Sequence, residues 1–136
     1  MSFVITLNDF IASNEKGQLD INPRIRAVIR ATGVPIRERY DLSKIGKKLE
    51  GELEQYVETR TTLFKELGEE EVVEGKPTNN WKLKSENLEE FNKQHKELLE
   101  KTVTIDVNPM KFSALGDKAE GFTGDDLIAC HAFITE

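Results

Sequence analysis

Leu42, Ile45, Leu49, Leu53, Tyr56, Leu63 and Leu67 recur at helical spacing along one stretch of the chain, and Arg60 is the single polar residue on their stripe. Apolar residues three or four apart share a helix face, so the stripe predicts a long amphipathic helix over 42–67. Tyr40-Asp41 opens it, with Asp41 as the cap, and Gly68 stands where a left-handed residue would close it. About 26 residues at 1.5 Å each make a rod of roughly 39 Å. A compact globule of this length is about 37 Å across, so the helix is expected to span the whole molecule. Gly46 and Gly51 interrupt it. Each costs about 1 kcal/mol relative to alanine, which implies either a close neighbour at that point or a locally weak helix.

The remaining pattern is shorter in period. Phe3, Ile5 and Leu7 alternate with Val4 and Thr6 as a strand, and Asn8 is placed to cap a helical turn reaching Ser13, followed by a turn at Glu15-Lys-Gly-Gln18. Asn22 caps a helix with Pro23 in its first position and Ile25, Val28 and Ile29 on one face, ended by Gly33 and Pro35. Val72-Val73 and Trp81 to Leu83, separated by Gly75-Lys-Pro-Thr-Asn-Asn80, predict a β-hairpin. Ser85 or Asn87, the latter in a capping box with Glu90, starts a third helix with Leu88, Phe91, His95, Leu98 and Leu99 on its apolar face. Val103, Ile105 and Val107 alternate as a strand. Thr123-Gly-Asp-Asp126 is a capping box for a last helix bearing Leu127, Ile128, His131 and Ile134.

These elements predict an α+β, helix-dominated fold: one domain over 1–136 whose core is a long antiparallel helical hairpin at about 41–101, with a small β-hairpin or sheet and short flanking helices. The third helix, about 16 residues, covers only some 24 Å of its longer mate. The bare part is then the start of the long helix, from Leu42 to Leu49, which must pack on the first or last helix of the chain or on another subunit.

Charge singles out the same end. The 136 residues carry 19 Lys and Arg against 25 Asp and Glu, a net charge of −6. Between Arg24 and Lys48, however, eight basic residues face only Glu38 and Asp41, so this window is positive and the rest strongly negative. Arg26, Arg30, Arg37, Arg39, Lys44, Lys47 and Lys48 are the candidate interaction surface, for a protein partner or for a second copy. The acidic total argues against a general nucleic-acid or anionic-membrane binder, and the basic residues lack the interleaved aromatics used to stack single strands.

No residue set predicts chemistry. Met1-Ser-Phe-Val-Ile-Thr-Leu7 has no basic leader and is not expected to be a signal peptide, and no apolar run approaches the roughly 20 residues of a membrane span. A lone Cys130 excludes an intrachain disulfide and fits a reducing compartment. His95 and His131 stand in neither an HxxxH nor an HExxH spacing, Cys130 and His131 point about 100° apart on a helix, and no phosphate loop or dinucleotide fingerprint is present. Glu69-Glu70-Glu71 and Asp125-Asp126 read as solvation and capping. Catalytic residues, metal, cofactor and small-molecule ligand are therefore not expected. Arg60, on the apolar stripe, predicts a buried ion pair with a carboxylate of a neighbouring element.

The run Pro35-Ile-Arg-Glu-Arg-Tyr40, Leu42-Ser-Lys-Ile45, Leu49, Glu52-Leu53, Tyr56, Arg60, Leu63-Phe-Lys65 and Gly68, then Phe91, Glu97-Leu-Leu99 and Val103-Thr-Ile105, resembles small proteins encoded by tailed bacteriophages and prophages. The similarity spans about 35–135 and is a pattern of helix positions. It implies a non-enzymatic accessory or structural protein of the virion or its assembly, working by protein contacts in the host cytoplasm or on the virion. The alternative is a small acidic inhibitor of a host defence or nucleic-acid enzyme, with the tip from Glu69 to Glu74 imitating phosphate charge.

Overall fold

A computed structural model describes residues 2–13 and 18–135. The fold is α+β, with 52% helix, 26% strand, small sheets and one long helix. Strand β1 (Phe3–Thr6) leads into the single turn α1 (Leu7–Phe10) and strand β2 (Ile11–Ser13), which pairs antiparallel with β3 (Leu19–Ile21). The cap of α1 differs from expectation. Asp9 Oδ2 accepts from the Thr6 backbone N–H at 3.1 Å, so the turn starts one residue before Asn8, and 11–13 is strand rather than helix. The turn expected at Glu15-Lys-Gly-Gln18 falls, apart from Gln18, outside the described residues.

Helix α2 (Pro23–Ile29) starts as its punctuation predicts: Asn22 Oδ1 accepts from the Arg24 N–H at 3.0 Å. Helix α3 then runs Ile36–Leu67, 32 residues or about 48 Å, starting five residues before the predicted cap. Asp41 lies inside it. Pro35 provides the start, with its carbonyl accepting from the Arg39 N–H at 2.9 Å. Strands β4 (Gly68–Val73) and β5 (Lys76–Leu83) follow, joined by Glu74-Gly75 with φ of 53° and 77°. Two positive φ values make a tight two-residue hairpin turn whose twist suits the strands, so of the loop expected over 75–80 only Gly75 is turn and 76–80 is strand. Gly68 is not left-handed. A Cβ there would lie 2.7 Å from both the Lys82 and the Phe64 carbonyl oxygens, so glycine answers a close backbone approach.

After a 3-10 turn, Ser85–Asn87, helix α4 (Leu88–Leu99) leads to β6 (Thr102–Ile105). Strand β7 (Met110–Lys111), a second 3-10 turn, α5 (Gly124–Ala129) and β8 (Ile134–Thr135) complete the order. The capping box of α5 forms, with the Thr123 N–H donating to Asp126 Oδ2 at 2.8 Å. Each sheet has two strands: β1 with β6, β2 with β3 and β4 with β5 are antiparallel, and β7 with β8 is parallel. In β1 and β6 the register sets Phe3 opposite Ile105 and Ile5 opposite Val103, all four buried, while Val4 faces water. This is the period-two pattern of a half-buried sheet.

The chain gathers into two compact units, Met1–Leu53 with Thr102–Glu136 and Glu54–Lys101. The buried apolar side chains are concentrated in the first. Phe10, Ile25, Val28, Ile45, Leu49, Cys130 and Phe133 are fully enclosed there, and only Tyr56 and Phe91 of the described residues are buried in 54–101. The expected core at 41–101 is thus displaced. Leu42, Ile45 and Leu49, which the third helix was expected to leave to the first or last helix of the chain or to another subunit, are at most 1% exposed within the first unit. Ile29 of α2 comes so close that a Cβ on Gly46 would lie 3.0 Å from its Cγ2. Gly51, by contrast, has open space where a Cβ would sit. Gly51→Ala is expected to raise stability by about 1 kcal/mol in a urea titration, since only the helix propensity changes.

Candidate interaction surface

Helix α3 presents its first four turns in two halves. Leu42, Ile45 and Leu49 point into the first unit, and on the opposite side Ile36 and Tyr40 remain 74% and 70% exposed. At 3.6 residues per turn, Ile36, Lys47, Tyr40, Lys44 and Arg37 fall within one arc about 100° wide, centred opposite the buried leucines. An exposed isoleucine and tyrosine one turn apart, beside Arg37, Lys44 and Lys47, form an amphipathic face that none of the described residues covers.

The seven predicted surface residues divide on this geometry. Arg26 is turned inward, with Nη2 2.6 Å from Asp20 Oδ1 and Nη1 3.4 Å from Glu50 Oε1, and ties β3 to α2 and α3. Lys48 pairs along its helix with Glu52 at 3.2 Å. Arg39 donates to the Val34 carbonyl at 3.1 Å and Lys44 to the Asp106 carbonyl at 3.2 Å, and neither has a carboxylate partner among the described residues. Arg30, Arg37 and Lys47 are exposed and have no carboxylate partner among the described residues. The positive surface is therefore narrower than the window of sequence that announced it. Arg24 is spent on Asp125 and Asp126, at 3.9 and 3.5 Å, which accounts for that acidic pair as structural.

Within 54–101, Arg60 lies over the Phe91 ring, 5.7 Å from guanidinium carbon to centroid. Among the described residues no carboxylate lies within 4.0 Å of it, so the expected ion pair is not formed; α4 presents a ring to Arg60 rather than an acid. Phe91 also meets Phe64 edge-on at 5.9 Å and stacks on His95 at 5.6 Å. Tyr56 hydrogen-bonds through its hydroxyl to His95 Nε2. Burial raises the Tyr56 pKa against an opposing pull from Arg60, so the phenol keeps its proton, and the His95 tautomer sets which of the two donates. Burial, and then the Arg60 charge, push the His95 imidazole below its ordinary value of 6.5. The unfolded chain accordingly binds the His95 proton more readily, and the fold loses stability as the pH falls from about 6.5 towards the folded pKa.

Arg60→Ala is expected to cost about 1 kcal/mol, the value of a partly exposed cation over a ring with its stem packing, and not the several that a stranded buried acid would cost. His95 should then titrate nearer its ordinary value. Proton NMR of the His95 ring checks this, and an unchanged titration would mean that the Arg60 charge does not reach the imidazole.

Asn87 does not cap α4 with its side chain. Its amide instead donates to the Leu67 carbonyl at 2.9 Å and closes the end of α3. Cys130 is fully buried and its thiol is pushed up to about 12, by burial first and by Asp126 second, which keeps it protonated and inert at neutral pH. His131 is exposed at the mouth of a groove lined by Phe112, Leu127, Ile128 and Ile134. Among the described residues there is no group of three His, Cys, Asp or Glu placed to hold a metal, and no helix long and apolar enough to cross a membrane.

A second groove lies between α3 and α4 inside 54–101, with a volume of about 710 Å³. Half-buried Leu63 and Leu98 line it, together with the carboxylates of Glu58, Glu66, Glu97 and Glu100. None of the four is in an ion pair among the described residues, and Lys101 is the one cation in the lining. Sequence periodicity alone does not reveal this groove, because its acids sit on two helices far apart in the chain. Comparison with protein families, with curated proteins and with solved structures finds no match to this chain.

Proposed function

We propose that this protein acts through protein–protein contacts and without chemistry of its own, as an accessory or structural component of a tailed bacteriophage that assembles with itself or with a virion component. The observation that carries the reading is the exposed face of α3. Ile36 and Tyr40 keep most of their surface in water within a basic arc, an arrangement that costs solubility in an isolated protein and gains free energy once a partner covers it. The helix pattern shared with phage-encoded proteins supports the same reading, and so does a second unit that buries few side chains of its own. In that unit α3 and α4 are read as an antiparallel helical hairpin, since Tyr56 meets His95 while Phe64, two turns on, meets Phe91. The site of action is the host cytoplasm, with the assembled form on the virion.

The inhibitor alternative rests on the acidic tip. The register of β4 and β5 sets Lys82 directly opposite Glu69 and Lys76 opposite Val73, which interleaves cations with the glutamates and weakens their likeness to a phosphate row. Native mass measurement on the full chain tests the assembly reading: a discrete oligomer is expected at low salt, and a monomer at every concentration would favour inhibition instead.

A further inference from the structure

We infer that the groove between α3 and α4 of one copy receives the basic start of α3 of a second copy. The inference rests on the self-assembly reading and names its two surfaces. The groove offers two leucines, Leu63 and Leu98, and four glutamates against the single cation Lys101, none of the four in an ion pair among the described residues. Bringing like charges into one cleft raises its potential, and a cation entering it relieves that repulsion. A complementary ligand is a helix with a short apolar stripe flanked by Lys and Arg. The first turns of α3 have that form: Ile36 and Tyr40 supply the stripe, and Arg37, Lys44 and Lys47 the charge, all on the side opposite the buried leucines.

The two surfaces lie in different units of the chain, so each is available to another copy as a different patch. Such an interface is heterologous. It closes into a ring if the rotation between copies allows, and otherwise extends into a filament, the two forms a repeating assembly can take. Apolar burial at Ile36 and Tyr40 would hold the contact, and the charges would set which surface meets which.

The test uses full-length chain and two variants that change exposed side chains only. One carries Glu58→Lys with Glu97→Lys and spoils the groove; the other carries Ile36→Ser with Tyr40→Ser, spoils the helix face and leaves it basic, so that the two spoiled surfaces repel each other. Light scattering coupled to size exclusion reads the mass of each at low and at high salt. The wild type is expected to associate at low salt and to dissociate as salt rises. Each variant alone should fall to the monomer mass with an unchanged circular dichroism spectrum. Mixed in equal amounts they should pair as a dimer and stop there, because one supplies the only intact groove and the other the only intact helix face. A wild type that associates while either variant keeps its mass would overturn this inference and leave self-assembly standing, as would two monomeric variants that fail to pair when mixed. A wild type that is monomeric throughout would overturn both.

Discussion

Leu49→Ala is expected to lower the free energy of unfolding by about 3 kcal/mol, and Leu63→Ala by about 1 kcal/mol or less. Both leucines belong to one helical stripe and lie fourteen residues apart on α3. Their surroundings differ. Leu49 is fully enclosed in the first unit, so truncation removes its transfer free energy and leaves a cavity that close-packed neighbours cannot fill. Leu63 lines an open groove in the second unit, and water enters as the side chain shortens. Urea unfolding followed by far-ultraviolet circular dichroism measures the difference. Equal losses would mean that the stripe is buried uniformly, and that the concentration of the core in the first unit is mistaken.

That contrast also marks how far the sequence was legible. Periodicity found the long helix because its apolar residues repeat for seven turns, but it counts Leu49 and Leu63 alike, since a half-buried leucine and an enclosed one look the same in a string. The start of α3 was missed for the opposite reason. Ile36 and Tyr40 belong to the helix yet face water, so they fall off the stripe, and Asp41 offered a better cap signal than Pro35 did. Local chemistry is legible at Asn22 with the Arg24 N–H and at Thr123 with Asp126, but not at Asn8, where Thr6 and Asp9 make the cap instead, nor in the box expected between Asn87 and Glu90. Partners distant in sequence were out of reach: Asp20 and Glu50 withdraw Arg26 from the basic surface, Phe91 takes the place of a carboxylate at Arg60, and Leu67 takes the amide of Asn87. Of the candidate surface, the sequence showed the cations of 24–48 but not the acid groove that complements them.

Gly33→Ala is the other substitution with a large expected effect, about 3 kcal/mol of stability lost. The sequence suggested only that Gly33 ends α2, but the helix closes at Ile29, and Gly33 has another role. Its φ is +73°, where an L residue pays about 1 kcal/mol or more. A Cβ there would also stand 1.9 Å from the Lys118 carbonyl oxygen, inside any possible contact distance. The loop carrying Lys118 would have to withdraw, and with it the bridge in which the Thr32 N–H donates to the Glu120 carbonyl at 2.9 Å and the Glu120 N–H returns the bond at 2.8 Å. Each such bond is worth about 1 kcal/mol. Gly33→Asn separates the two causes, because asparagine tolerates the left-handed region but still carries a Cβ. If close approach dominates, asparagine and alanine should destabilise alike in thermal and urea unfolding. Recovery of most of the stability with asparagine would show that backbone conformation is the constraint and that the loop at Lys118 yields at little cost.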